Sequence, residues 1–245
     1  MKRIWPLAAL GILAYAAFAL ATLPANVLVS RLAPAISAAG VEGTVWRGSA
    51  QLLQVGSVAL GSIRWNLHVL PLFLARVKAD VELKRSDGFA QTIVTLAAGG
   101  IRFDQLTASL PFSALPPAAA PGGWAGTLNL KLAYLTLEQG WPVQAEGTLE
   151  TLDLTGPARR PANLGSYKVT FSGEQTEGEL VGMLADLGGP LQIVGAIRLK
   201  PDRSYVVEGV VATRPDAPQS ISDTLQYLGP ADEQGRRPFS IAGTL

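Results

Sequence analysis

The stretch Ser62–Leu70, SIRWNLHVL, puts Ile63, Trp65, Leu67 and Val69 on one side of an extended chain and Ser62, Arg64, Asn66 and His68 on the other. Period two marks a strand with one buried and one solvated face, whereas a helix would mix these residues on every side. The same beat continues downstream. RVKADVELKR sets Val77, Ala79, Val81 and Leu83 against Lys78, Asp80, Glu82 and Lys84, and GTLNLKLAY sets Leu128, Leu130 and Leu132 against Asn129 and Lys131. YKVTF (Tyr167, Val169, Phe171), LQIVGAIRLK (Leu191, Ile193, Ile197, Leu199), SYVVEGVV and the closing PFSIAGTL (Phe239, Ile241, Leu245) repeat it. Roughly ten to thirteen such segments alternate with Gly/Pro/Asp turns at about the 8–12-residue spacing of all-β folds. SDG (Ser86–Gly88) and KPDRS (Lys200–Ser204) have hairpin-turn composition. The expected fold class is all-β and mainly antiparallel, as a curled sheet or a sandwich.

Two stretches break the beat. Leu115–Gly123, LPPAAAPGG, has the composition of a linker or long loop and marks a candidate internal division of the β-rich body at 115–123. Ala217–Gly229, APQSISDTLQYLG, carries Ile221, Leu225 and Leu228 at helical spacing. Ser220 is its expected cap, Asp223 falls in its first turn, and Gly229-Pro230 ends it. This helix is expected to pack over the sheet.

The N-terminus differs in kind. No charge occurs from Ile4 through Ser30, and the apolar centre 4–23 would span about 30 Å as a helix, the thickness of a bilayer's hydrocarbon core. Pro6 falls in the first turn, where its missing N–H costs little, and Trp5 suits the interface. Lys2 and Arg3 make residues 1–3 a tail expected to stay cytoplasmic, which places the remainder across the membrane. The competing reading is a cleaved signal peptide, with small-residue sites at AFA (Ala17–Ala19) and ALA (Ala19–Ala21). The apolar run exceeds the usual length of about 7–15 residues, which favours the retained anchor. Residues 24–40 read as a short amphipathic helix or lead-in, and 41–245 as an exported β-rich domain.

The chain has 245 residues, no cysteine, and 16% charged residues against about 25% in ordinary globular chains. Its net charge is +1, and apart from Lys2 and Arg3 the basic and acidic residues balance to within one. So neutral a body offers no electrostatic footprint for nucleic acid. Without cysteine there is no disulfide framework, thiolate nucleophile or Cys-ligated zinc, and nothing to mispair in an oxidising compartment. His68 is the single histidine and reads as a solvated strand residue. No G-x-S-x-G elbow, H-E-x-x-H or D-x-D-x-D pattern accompanies it. Glu174, Glu177 and Glu179 in GEQTEGE read as a solvated hairpin tip. Gly99-Gly100 and Gly188-Gly189 lack the helix and lysine of a phosphate loop, and Arg159-Arg160 and Arg236-Arg237 read as solvated turns. The chain is therefore read as a non-enzyme, with no catalytic, cofactor-binding or metal-binding residue assigned.

One motif recurs. Trp46-Arg47-Gly48-Ser49-Ala50 and Trp124-Ala125-Gly126-Thr127-Leu128 are both Trp-x-Gly followed by a small hydroxyl residue, and both lead into an alternating segment. Gly-Thr before Val or Leu occurs at Gly43, Gly126, Gly147 and Gly243. The motif reads as a strand-opening device of two related β units. Gly43 and Gly48 let the chain bend, Trp46 covers a sheet end, and Arg47 faces solvent. Trp46, Arg47, Gly48, Trp124 and Gly126 are the candidate structural or partner-binding residues, with chance recurrence in a Gly/Leu-rich chain as the alternative.

The short tail and uncharged segment, VEGTVWRGSA, and the C-terminal run from Gly195 to Leu245 together resemble the protein N family of the type II (general) secretion pathway. In that run a strand, an Asp turn, a strand ending in an arginine, a short helix ending in Leu-Gly and then D…GR…F…GTL follow in order. The resemblance implies a single-pass inner-membrane protein with a periplasmic domain, an accessory assembly part of the machinery that exports folded proteins. Its implied partners are other inner-membrane and periplasmic secretion proteins, with the outer-membrane secretin a further candidate; no cofactor is implied. The family also resembles AsmA-type proteins, whose sheets curl into an apolar groove, which gives the alternative of a periplasmic lipid-binding or lipid-transfer module. Strands with one apolar face fit a groove and a closed sandwich alike.

Overall fold

The computed structural model describes residues 4–29, 36–56, 58–115, 123–156, 163–215 and 217–244. The expected tail 1–3, Arg31, residues 116–122 of the linker stretch and Arg159-Arg160 lie outside the described residues. The chain divides into two compact units, Met1–Ser86 and Asp87–Leu245. The 115–123 stretch falls inside the second.

The first unit opens with helix α1 (Ile4–Ala21) and a short α2 (Ala25–Val29), followed by β1 (Ile36–Gly43), β2 (Arg47–Val55), β3 (Val58–His68) and β4 (Val77–Lys84). Among the described residues no helix is long and apolar enough to cross a membrane. Each strand pairs antiparallel with the next. β1 starts inside the stretch expected to be helix or lead-in. Ile36 and Ala38 oppose Val55 and Leu53 of β2, and this cross-strand pairing outweighs a weak local preference. Along β3 the alternation reads out as expected. Ile63 sits between Ala50 and Leu83, Trp65 between Gly48 and Val81, and Leu67 beside Ala79. Arg64 opposes Glu82 and Asn66 opposes Asp80 on the other face.

The second unit continues as β5 (Phe89–Ala97), β6 (Gly100–Pro111), β7 (Ala125–Glu138), β8 (Trp141–Thr155), β9 (Asn163–Thr176), β10 (Glu179–Gly188), β11 (Leu191–Leu199), β12 (Ser204–Thr213) and β13 (Arg237–Thr244), with α3 (Gln219–Leu225) before the last strand. One register row crosses all of these strands in turn: Ala90, Ala108, Leu130, Leu149, Val169, Leu184, Gly195, Gly209 and Phe239. It holds no polar side chain. The adjacent row, displaced by one residue and so on the opposite face, reads Gln91, Thr107, Lys131, Thr148 and Thr170 from β5 to β9. Ion pairs lace the polar face: Lys168–Glu150 at 3.1 Å, Arg198–Glu208, and Arg102–Asp104 at 2.7 Å with the guanidinium 4.3 Å above the Tyr134 ring.

The sandwich alternative is corrected. Among the described residues of each unit, strands pair in sequence order and no second sheet packs on the apolar face. The turns give the reason. Glu177 and Gly178, with φ of 55° and 80°, form a two-residue link between β9 and β10, and the expected KPDRS hairpin joins β11 to β12 with Lys200 N–H donating to Ser204 O at 2.9 Å. Links this tight keep each strand beside its predecessor, whereas a sandwich needs connections that cross between layers.

Among the described residues, α3 covers one end of the second unit's sheet. Ile221 of α3 packs on Leu191 and Val211, with Leu164, Ile193, Leu225 and Phe239 around them, so the helix does lie over the sheet. Its start differs from expectation. Pro218, not Ser220, is the N-cap residue, with no side-chain cap and no acidic residue in the first turn. The ring of Pro218 fixes φ at −55°, which presets the chain's entry without a hydroxyl cap. Ser220 instead offers its carbonyl to Thr224 Oγ1 at 2.8 Å.

Candidate functional site

The segment Gly43–Ala50 lies where the first unit's sheet meets α1. Gly43 takes φ of 89° to close β1, and Thr44 N–H donates to Arg47 O at 2.9 Å, making the β1–β2 turn. Trp46 then reaches back along the chain. Its indole Nε1–H donates to Leu20 O at 2.7 Å, a carbonyl in the last turn of α1 that otherwise accepts only the long bond from Leu23 N–H at 3.4 Å. Val45 N–H donates to Leu23 O at 2.9 Å, and Pro24 and Thr44 form a bridge. From the other side, Trp65 Nε1–H donates to Val45 O at 3.0 Å and Leu67 N–H to Trp46 O at 2.6 Å. The turn is thus held both by the end of α1 and by β3. Arg47 is exposed, as expected.

This geometry revises the role given to Gly48. A Cβ there would stand 2.4 Å from Cζ2 of Trp65, so the glycine makes room for an indole lying across the neighbouring strand. The second motif is built otherwise. At Gly126, with φ of 129°, a Cβ would meet Leu152 O at 2.7 Å, a backbone clash, and half-buried Trp124 stands near Gly156 instead of a helix end. Trp46 and Trp124 share a spelling and occupy different environments. Replacing Trp46 by Phe keeps an aromatic ring but removes the pyrrole half of the indole with its N–H, and the lost hydrogen bond alone costs about 1 kcal/mol. Amide exchange at Val45 and Leu67 is then expected to speed up about fivefold; unchanged exchange would show that the bond contributes nothing.

The C-terminal signature residues also hold structure. Arg214, the arginine that ends β12's run, pairs through Nη2 with Asp186 Oδ1 and donates through Nη1 to Gly189 O at 2.7 Å and Leu191 O at 3.3 Å. Asp186 in turn accepts the N–H groups of Gly188 and Ile193, both at 3.2 Å. The Gly188-Gly189 turn between β10 and β11 is thereby pinned from both sides. Asp202 accepts Ser204 N–H at 2.9 Å and Ser204 Oγ–H at 2.6 Å, the side-chain lock of the Asp turn. Those bonds hold its carboxyl below the usual range. Gly229 ends the helical segment with φ of 102°, and its carbonyl accepts from Arg237 Nη1. Asp232 accepts the N–H groups of Gln234 and Arg236, and the Arg236 side chain at 3.0 Å. Arg236-Arg237 is therefore engaged with its own chain, and Arg237 begins β13 instead of standing in a free turn.

Tyr167 is buried beside this pin, its hydroxyl donating to Leu164 O. Burial, helped by the Asp186 carboxylate and opposed by Arg214, pushes its pKa up to about 12 from 10.0. The sign follows from which state keeps the proton. Below pH about 10 the stabilisation is complete, and it is lost as pH rises towards about 12, because the unfolded chain ionises first. An ultraviolet titration is expected to show a tyrosine ionising near pH 12, a step that Tyr167→Phe should remove; a titration unchanged by the substitution would show this environment to be wrong.

His68 sits half-exposed, Nε2 3.0 Å from Asp80 Oδ1, and Asn66 donates to Asp80 Oδ2 at 3.2 Å. The histidine bond is the main reason the Asp80 carboxyl titrates below its usual value. Among the described residues no three His, Asp or Glu side chains form a group that could hold a metal; Glu179 pairs with Lys200 at 3.8 Å. Asp186 and the Leu20 carbonyl escaped the sequence reading. The first could have been suspected from an Asp just ahead of Gly-Gly, but a main-chain carbonyl carries no signal in residue identity.

Residues 34–240 match the family described as Type II secretion system (T2SS), protein N. The Type II secretion system protein N of Aeromonas hydrophila is 28% identical over 266 residues, covering 100% of both chains. That of Vibrio cholerae serotype O1 is 26% identical over 235 residues, covering 91% of each. That of Pectobacterium carotovorum subsp. carotovorum is 26% identical over 246 residues, covering 96% of this chain and 94% of the relative. No solved structure matches. The matched span takes in Trp46, strands β1 to β12 and the Arg214 pin, and the chain belongs to the type II secretion system protein N family.

Proposed function

We propose that this chain is an accessory inner-membrane component of the type II secretion machinery, acting by protein–protein contact and assembly in the export of folded proteins across the outer membrane. In this reading α1 is a single-pass anchor, the N-terminus is cytoplasmic, and both sheet units are periplasmic. The observation that carries it is the joint between Trp46 and Leu20, which ties the sheet directly to the end of an uncharged helix. Leu10, Ile12, Leu13, Tyr15, Phe18 and Leu20 of that helix are between 54% and 74% exposed in the isolated chain. Apolar side chains left uncovered along that much of a helix are what a bilayer would cover. Its 18 residues reach about 27 Å, and a shortfall of a few ångströms is met by local thinning of the bilayer. Two measurements test the proposal. The full chain should resist carbonate extraction with its sheet units open to protease from the periplasmic side, and deleting the gene should reduce export of folded exoproteins. Unchanged export would overturn the assembly role.

A second reading, a periplasmic lipid-binding module, is favoured by the apolar row of the second unit. Leu130, Leu149 and Leu184 there are only half-buried, and α3 covers one end. Native mass spectrometry of gently purified protein should reveal bound phospholipid; a lipid-free chain would count against it.

A further inference from the structure

The link between β3 and β4, Val69–Ala75 (VLPLFLA), carries no charge, and Leu70–Leu74 winds it into a short 3-10 turn. It is apolar and uncovered: Leu70 is 80% exposed, Phe73 83%, Leu74 73% and Val69 49%. Four large apolar side chains on one link are a patch that water does not favour. Its position gives it a meaning. β3 ends at His68, one residue after Leu67, whose N–H is bonded to Trp46 O, while Trp46 Nε1 is bonded to Leu20 O. The apolar link and the C-terminal end of α1 therefore lie at the same end of the first unit's sheet.

We propose that the Val69–Ala75 link dips into the outer leaflet of the bilayer that α1 spans, giving the sheet a second membrane contact. The inference rests on the anchor reading above. With the helix in the membrane, the Trp46 joint holds this sheet end at the lipid–water boundary, where Leu70, Phe73 and Leu74 meet acyl chains. Leucine and phenylalanine on a short turn suit that depth. Charge agrees. Arg47, Arg64, Arg76 and Lys78 outnumber Glu42, Asp80 and Glu82 at this end, and Asp80 is already taken up by Asn66 and His68. The cations flank the link at the level of lipid phosphates. Anchored at one point, the first unit would pivot about the end of α1; held at two, it stands at a set angle above the membrane.

The chain lacks cysteine, so single cysteines place a fluorophore without background. Full-length protein carrying Phe73→Cys, Tyr15→Cys or Ser86→Cys is labelled and reconstituted into vesicles of phosphatidylethanolamine and phosphatidylglycerol containing nitroxide lipids. Tyr15 and Phe73 are exposed, so neither substitution removes packing, and Ser86 lies beyond the opposite end of β4. The expected result is a blue shift and loss of emission at position 73 with shallow nitroxides, loss at 15 with deep ones, and neither at 86. Quenching at 15 without quenching at 73 overturns this inference and leaves the anchor standing. Quenching at neither removes the anchor reading and this inference with it. As a second check, L70D/F73D in the labelled Leu74→Cys background should abolish quenching at 74; persistent quenching there would also overturn the proposal.

Discussion

Replacing Arg214 by Ala is expected to destabilise the second unit by about 3 kcal/mol. The Asp186 side chain is only 11% exposed, and the substitution leaves its carboxylate facing an apolar sheet end with its charge uncompensated. Removing one partner of a fully buried pair costs about 3–5 kcal/mol, and the low end applies because a third of the Arg214 side chain meets water. The loss also frees the carbonyls of Gly189 and Leu191, so the β10–β11 turn loosens together with the Leu191 core beneath α3. The measurement is a denaturant midpoint on the full chain, with the double variant D186N/R214A as companion. The amide oxygen of Asn can still accept a backbone N–H without bringing a charge, so the double variant should cost less than R214A alone. A cost below about 1 kcal/mol for R214A would mean that the pair is an ordinary surface contact.

Gly209→Ala is expected to cost a similar amount, about 3 kcal/mol, by a different route. Gly195 and Gly209 are register partners in the apolar row. A Cβ on Gly209 would lie 2.3 Å from Val194 O and 2.6 Å from the Gly195 Cα, and one on Gly195 would lie 2.3 Å from Glu208 O. Each obstacle is backbone, so no rotamer change relieves it; β11 and β12 must separate and stretch the ladder between them. Gly182→Ala makes a useful contrast, since its nearest obstacles are the Phe171 ring and Val169 Cγ1, both side chains that can shift. The prediction is a larger loss of stability at 209 than at 182. Equal losses would show that the close approach of β11 and β12 yields easily.

These two sites mark the limit of what could be read before folding. Glycines at 195 and 209 were visible in the sequence, but their facing each other was not, because register is a relation between strands. The same holds at Gly48. Its sequence context proposed a bend, and the Trp65 ring across the strand turned out to be what its missing side chain accommodates. Ser220 looked like a cap by its chemistry, yet the helix begins after Pro218, whose ring presets the entry.

The antiparallel, two-faced character of the strands is written into the order of the residues. Side chains alternate with period two whatever the partner, so SIRWNLHVL declares its apolar and polar sides from local order alone. The family could also be read there, because Asp turns, the Leu-Gly helix end and the arginine after β12 keep a linear order. Tertiary structure alone decided which groups those residues reach. Trp46 finds a main-chain oxygen of Leu20, and Arg214 finds Asp186, each across a stretch of chain whose path is set by every turn between. It also decided that, among the described residues, the sheet stays single-layered within each unit. Alternation states that a face is apolar, but only the pairing of each strand with its neighbour determines what, if anything, covers it.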